Sequence, residues 1–148
     1  MNDNEVHFFE AVKLFNEELY WDAIETFQNS LSEGLEDRYV DDCFLNIAIC
    51  YMKLKLFNEA GEFFLKAMSA AEETGDQIDF EGPIYGKTSD RAKLGLIRIA
   101  LVQKDLQTAE KHLADLKNSE SYIEVEGNKV SMFEAGESEI EKAKSSFL

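Results

Sequence analysis

The stretch Gly82-Pro83-Ile84-Tyr85-Gly86-Lys87-Thr88 comes nearest to a phosphate-binding loop in this chain. In such a loop, glycines let backbone N–H groups converge on a phosphate, while the Lys-Thr pair supplies an ammonium and a magnesium-binding hydroxyl. Here the spacing is one residue short, with Glu81 where the first glycine should stand. The loop also requires a preceding strand in a parallel sheet, and neither is predicted. The stretch reads as a flexible connection, and no cofactor is expected. His7 and His112 lie far apart, with no Cys or His at ligand spacing, so no metal is expected either. No Ser or Cys sits in a nucleophile-elbow context. Carboxylate pairs such as Glu17-Glu18, Asp41-Asp42 and Glu72-Glu73 abound. A general acid needs a buried, perturbed site, and in so acidic a chain such pairs do not mark one. The expectation is a protein that is not an enzyme.

The charge points the same way. The net charge is −15, and residues 1–42 hold 12 acidic against 2 basic side chains. Such a field repels nucleic acid and anionic membranes, and basic patches interleaved with aromatics are missing. No run of 18 apolar residues exists, so no membrane insertion is expected. The start, Met1-Asn2-Asp3-Asn4-Glu5, lacks the basic and apolar regions of a secretory signal. Cys43 and Cys50 are seven residues apart on one predicted helix. That places their Cα atoms roughly 10 Å apart, beyond the ~7 Å limit for a disulfide. They are read as reduced core thiols, and a cytoplasmic location is the expectation that follows.

What must position any functional residue is a set of helices. The chain has one proline among 148 residues, and apolar residues recur with a 3.6-residue period from Val6 to Lys117. Helices are predicted at about 4–17, 20–32, 38–54, 57–74, 88–103 and 106–117, with corners at Glu18-Leu19, Lys55-Leu56 and Lys104-Asp105. Gly34 is predicted as a left-handed cap for the second helix.

The middle pair reads Phe44-x2-Ile47-Ala48-x2-Tyr51, then Ala60-x3-Phe64-x2-Ala67. Small Ala48 and Ala60 would let two helices cross closely, with Tyr51 and Phe64 filling the space beside the crossing. The same spacing recurs as Ala11 and Ala23 with Phe27 and Ser30, and as Ile97 and Ala109 with Leu113 and Leu116. This pattern resembles the tetratricopeptide repeat, three times over, at about 4–37, 41–74 and 90–123. The first repeat departs from it at His7 and Glu10, the third at Ile97, and none keeps the closing proline. The resemblance implies an all-α, right-handed superhelix of helical hairpins in a single domain over 1–148. Residues 75–89 are read as a loop. A β-hairpin is predicted over 122–133, turning at Gly127-Asn128, with Val125 facing Val130, Ile123 facing Met132, Glu126 facing Lys129 and Tyr122 facing Phe133. A capping helix is predicted over 137–147, after Gly136.

The first helix of each repeat is apolar on a second face, away from its hairpin partner. That face carries Phe8, Val12 and Phe15, then Leu45, Ile49 and Met52, then Leu94, Arg98 and Leu101. The resemblance implies that it lines a concave groove, and a contiguous apolar strip there marks a partner site. Lys53, Arg91 and Arg98 add positive charge, and Asn46 a carboxamide. Some tetratricopeptide co-chaperones grip a partner's terminal carboxylates, and Asn46 and Arg91 fall at matching places. Phe8 and Val12 stand where that clamp has Lys and Asn, so the clamp is incomplete. The expected partner is another protein, as a peptide or helix laid in the groove. The alternative is occupation of the groove by the loop, the tail or a second copy. The small acidic chaperones of type III secretion are similar in size, charge and repeat number, so shielding of an apolar partner is the runner-up. A nucleotide-binding accessory protein is the remaining alternative.

Overall fold

A computed structural model describes residues 2–74, 78–79 and 84–147 of the chain. Its contacts separate it into two units, Met1–Gln77 and Ile78–Leu148.

The first unit is two helical hairpins, α1 (Asp3–Asn16) with α2 (Tyr20–Ser32) and α3 (Asp37–Lys53) with α4 (Phe57–Thr74). Helix α1 starts where the Asn2 side chain accepts from Glu5 N–H at 3.0 Å, one of the donors a helix leaves unpaired. Helix α3 packs against α4 and α2 and also touches α1. Phe8, Ala11, Ala23, Ile24, Phe27, Leu35, Cys43, Ile47 and Cys50 form the core at the first hairpin and α3. Both cysteines are free and buried. Burial pushes the Cys50 thiol up to about 12, and burial with the neighbouring Asp42 charge raises Cys43 further, so both are protonated core residues at neutral pH.

The corners fall where the sequence places them and share one construction. Glu18, Lys55 and Lys104 adopt left-handed φ angles of 63°, 62° and 59°. The residue after each donates its N–H five residues back: Leu19 to the Leu14 carbonyl, Leu56 to Tyr51 and Asp105 to Ala100, at 3.0, 2.9 and 2.8 Å. These bonds satisfy carbonyls that a helix end leaves open. Four residues on, Ala23, Ala60 and Ala109 donate back to Leu19, Leu56 and Asp105. All three alanines are fully buried, as are Ala11 and Ala48. Ala48→Leu is expected to cost about 1–3 kcal/mol through overpacking, measured by urea denaturation. A neutral result would show that Ala48 does not sit at a close crossing.

The second unit pairs α5 (Thr88–Val102) with α6 (Leu106–Asp115) and adds a sheet and a final helix, α7 (Met132–Phe147). Strands β1 (Ile78–Asp79), β2 (Ile84–Lys87), β3 (Tyr122–Val125) and β4 (Asn128–Ser131) are antiparallel neighbours in that order. The segment read as a loop over 75–89 therefore contains β1, β2 and the first residues of α5. Residues 75–77 and 80–83 of it lie outside the described residues. Strand β2 is too short for its alternation to stand out, and it is held by pairing with β3 (Tyr85 to Tyr122, rings stacked at 5.0 Å).

The hairpin register differs from the prediction by two residues. Ile123 pairs with Val130, Glu124 with Lys129 and Val125 with Asn128. Glu126 and Gly127 form the turn, both at positive φ, as a two-residue hairpin turn with primed geometry requires. Ser131 ends the strand by accepting from Glu134 N–H at 3.0 Å. That Ser-x-x-Glu cap starts α7 at Met132 rather than 137. Gly136 is then a buried helical residue. A Cβ there would lie 3.0 Å from Leu113 and 3.3 Å from Ile97, so it marks close helix packing rather than a helix boundary. The core combines Leu94, Ile97, Ala100, Ala109, Leu116, Met132 and Ile140.

Candidate functional site

Within the first unit the predicted groove residues lie on α1 and α3. Phe8 is buried in the core, its ring 5.1 Å from Tyr39 and 5.8 Å from Phe27. Leu45 is also buried. Val12, Phe15, Asn46, Ile49 and Met52 are half-buried and Lys53 is exposed. Val12 and Phe15 pack against the core. The Asn46 carboxamide makes a long hydrogen bond of 3.5 Å to Asp42.

Phe9, which the repeat pattern does not single out, is three residues before Val12 on α1. It is 43% exposed and meets Tyr39 edge-on at 5.8 Å. The signal was available: Phe9 precedes the small residue Ala11 by two positions, as Asn46 precedes Ala48.

In the second unit the corresponding face of α5 carries α7. The Arg98 Nε donates to both carboxylate oxygens of Glu139, at 2.9 and 3.2 Å. Leu94 is buried, and its side chain lies 3.8 Å from the place a Cβ on Gly136 would take. Leu101 is half-buried on the same core, and Arg91 is half-buried.

The phosphate-loop likeness has no loop geometry among the described residues. Ile84–Lys87 is strand, Gly86 is buried and the Lys87 N–H donates to Ser121 Oγ at 3.1 Å instead of facing a cleft. That hydroxyl belongs to a polar knot. The carboxylate oxygen Oδ2 of Asp90, 8% exposed, accepts from both Ser119 and Ser121 hydroxyls at 2.7 Å each. Among the described residues no group of three His, Cys, Asp or Glu is placed to hold a metal. A hollow of ≈ 430 Å³ on α3 and α4, lined by Val40, Phe44, Leu65, Lys66, Ser69, Ala70 and Glu73, is walled mainly by apolar groups. No helix among the described residues is long and apolar enough to cross a membrane.

No protein-family model matches the sequence, and no curated protein matches it. Among solved structures the chain is similar to the Hsp90 co-chaperone Cns1 from Saccharomyces cerevisiae (delta69), with a TM-score of 0.72 at 14% sequence identity. The match covers 97% of this chain and 40% of that one, so this chain spans well under half the length of its neighbour. At that identity the likeness speaks to fold alone, and with the three matching corners it gives the chain an all-α, tetratricopeptide-like helical-repeat fold.

Proposed function

We propose that the protein is a non-enzymatic interaction module that holds an apolar peptide or helix of a partner protein against α1 and α3. The observation that carries this reading is the half-buried strip of Val12, Phe15, Ile49 and Met52, extended by exposed Phe9. Val12 and Phe15 pack against the core, and all of these side chains present apolar surface, as a helix-in-groove site requires. Asn46 and Lys53 supply polar contacts at the edge. Arg91, Leu94, Arg98 and Leu101 hold the same repeat position on α5 of the second unit, where Leu94 is buried and Arg98 is shared with Glu139. The co-chaperone neighbour supports a chaperone-adaptor version of this role. It does not support a carboxylate clamp here, since Phe8 fills the core where the clamp needs a lysine.

Ile49→Glu tests the site. Binders selected from a displayed peptide library against the wild-type protein are measured on both proteins. Stability is expected to change by about 0.5 kcal/mol, while affinity falls by several kcal/mol, because the new carboxylate would be buried unpaired in the complex. Binders that keep full affinity for a folded Ile49→Glu variant would remove this face from the proposal. A variant that unfolds would show that the strip is covered within the protein itself.

A further inference from the structure

The charge is concentrated in the first unit. Residues 1–77 hold 17 acidic and 5 basic side chains, net −12, while residues 78–148 hold 13 and 10, net −3. Two of the five basic groups already lie over rings of the unit, Arg38 over Tyr39 at 4.7 Å and Lys66 over Phe63 at 4.5 Å. On α2 the arrangement is different. Trp21, the single tryptophan of the chain, is 60% exposed at the start of the helix, next to exposed Leu19. Its ring meets Tyr51 of α3 edge-on at 6.4 Å, and Tyr51 in turn lies against Phe63 of α4 at 5.6 Å. Tyr51 thus supports the indole from one edge and leaves most of it in solvent. Among the described residues no Lys or Arg is placed over the Trp21 ring. Exposed carboxylates flank it in sequence: Glu18 at the corner, Asp22 beside it and Glu25 one helical turn on, on the same face.

From these residues we infer a second docking surface, centred on Trp21 and Tyr51, for an arginine-rich basic segment of a partner protein. Charge complementarity identifies the occupant. An exposed indole face attracts cations more strongly than the phenyl and phenol rings that carry them elsewhere in this unit. The carboxylates supply acceptors beside the ring. A guanidinium is the cation that stacks flat on an aromatic face and pairs with a carboxylate in the same plane, which an ammonium does not do. This surface is separate from the strip on α1 and α3. On α3, Tyr51 points towards α4, whereas Ile49 and Met52 lie about 100° or more around the helix from it.

Because Trp21 is the only tryptophan, its fluorescence reports this surface directly. Hexa-arginine is titrated into the protein, with hexa-lysine and hexa-glutamate alongside. The expected result is a saturable change in Trp21 emission with hexa-arginine, weaker with hexa-lysine, absent with hexa-glutamate and diminished by salt. Asp22→Lys with Glu25→Lys is expected to weaken hexa-arginine about tenfold or more. Trp21→Ala, followed by anisotropy of labelled peptide, is expected to weaken it about fivefold. Ile49→Glu is expected to leave it unchanged, which separates this surface from the proposed groove. Equal binding to the charge-reversed variant would reduce the effect to general attraction by an acidic protein and overturn the inference. Peptide-free emission that shifts with protein concentration would overturn it too, by showing that a second copy covers Trp21.

Discussion

Gly86→Val is expected to destabilise the second unit by about 3 kcal/mol, at the upper end of the usual cost of overpacking. Even a bare Cβ on Gly86 would stand 2.6 Å from both Cβ and Oγ of Ser121 and 3.1 Å from the Met132 methyl. The Met132 methyl is the end of a flexible chain and can move. The Ser121 Cβ cannot move without the backbone, which is tied twice: its N–H donates to Ser119 Oγ at 3.0 Å and its carbonyl accepts from Met132 N–H at 2.9 Å. Relief requires separating β2 from β3. Chemical denaturation followed by circular dichroism measures the loss, while Trp21 fluorescence follows the first unit, which is expected to be unaffected. Ser121→Gly added to Gly86→Ala is expected to recover part of the packing cost, as coupled neighbours do. A Gly86→Val protein as stable as the wild type would refute the close approach.

Asp90→Ala is expected to cost the same unit about 3 kcal/mol. It removes two hydrogen bonds to one carboxylate oxygen, each worth about 1.5 kcal/mol, and leaves the buried Ser121 hydroxyl proton without its acceptor. Both serine hydroxyls converge on a single oxygen, Oδ2. Asn offers one carbonyl oxygen in that place, so Asp90→Asn is expected to retain more than half of the stability that Asp90→Ala loses. Equal losses in the two variants would mean that charge, not the shared acceptor, holds the knot.

These two positions show where the sequence was silent. Helices α1 to α6 and the corners at Glu18, Lys55 and Lys104 were legible because each depends on local pattern: apolar periodicity, one small residue at a crossing and a reversal at fixed spacing. Strand β2 was not legible, since Ile84-Tyr85-Gly86-Lys87 becomes a strand through Tyr122 and Ile123, which lie far along the chain. The hairpin was expected in the right place but in the wrong register, because Gly127 serves as the second turn residue, not the first. The start of α7 was legible in principle, in Ser131-Met132-Phe133-Glu134. It was hidden by reading Gly136 as a boundary when it is a contact with Leu113 and Ile97.

The candidate site divides in the same manner. Repeat position puts Val12, Ile49 and Met52 on α1 and α3, where all three are half-buried, and one further step of the same reasoning reaches Phe9. It gave no warning that α7 would dock on α5 and engage Arg98 through Glu139, since nothing local in α5 specifies that contact. Nor did it reveal that Phe8 would pair with Tyr39 and enter the core.

Ser121 joins the entry of α5, through Lys87 N–H and Asp90, to the entry of α7, through Met132 N–H. In kinetic terms, the second unit cannot complete its structure until residues about thirty positions apart have met. The hairpins of the first unit close through three-residue corners, so each can start at its corner before longer contacts such as Asn4 with Gly34 are made. Contacts between near neighbours in sequence form faster than distant ones, whose loop-closure entropy must be met first. During refolding, the amides of α1 to α4 are therefore expected to gain protection from hydrogen exchange before those of β2, β3 and α7. Pulse labelling from denaturant reads that order directly, and simultaneous protection of both units would show that they fold as one cooperative body.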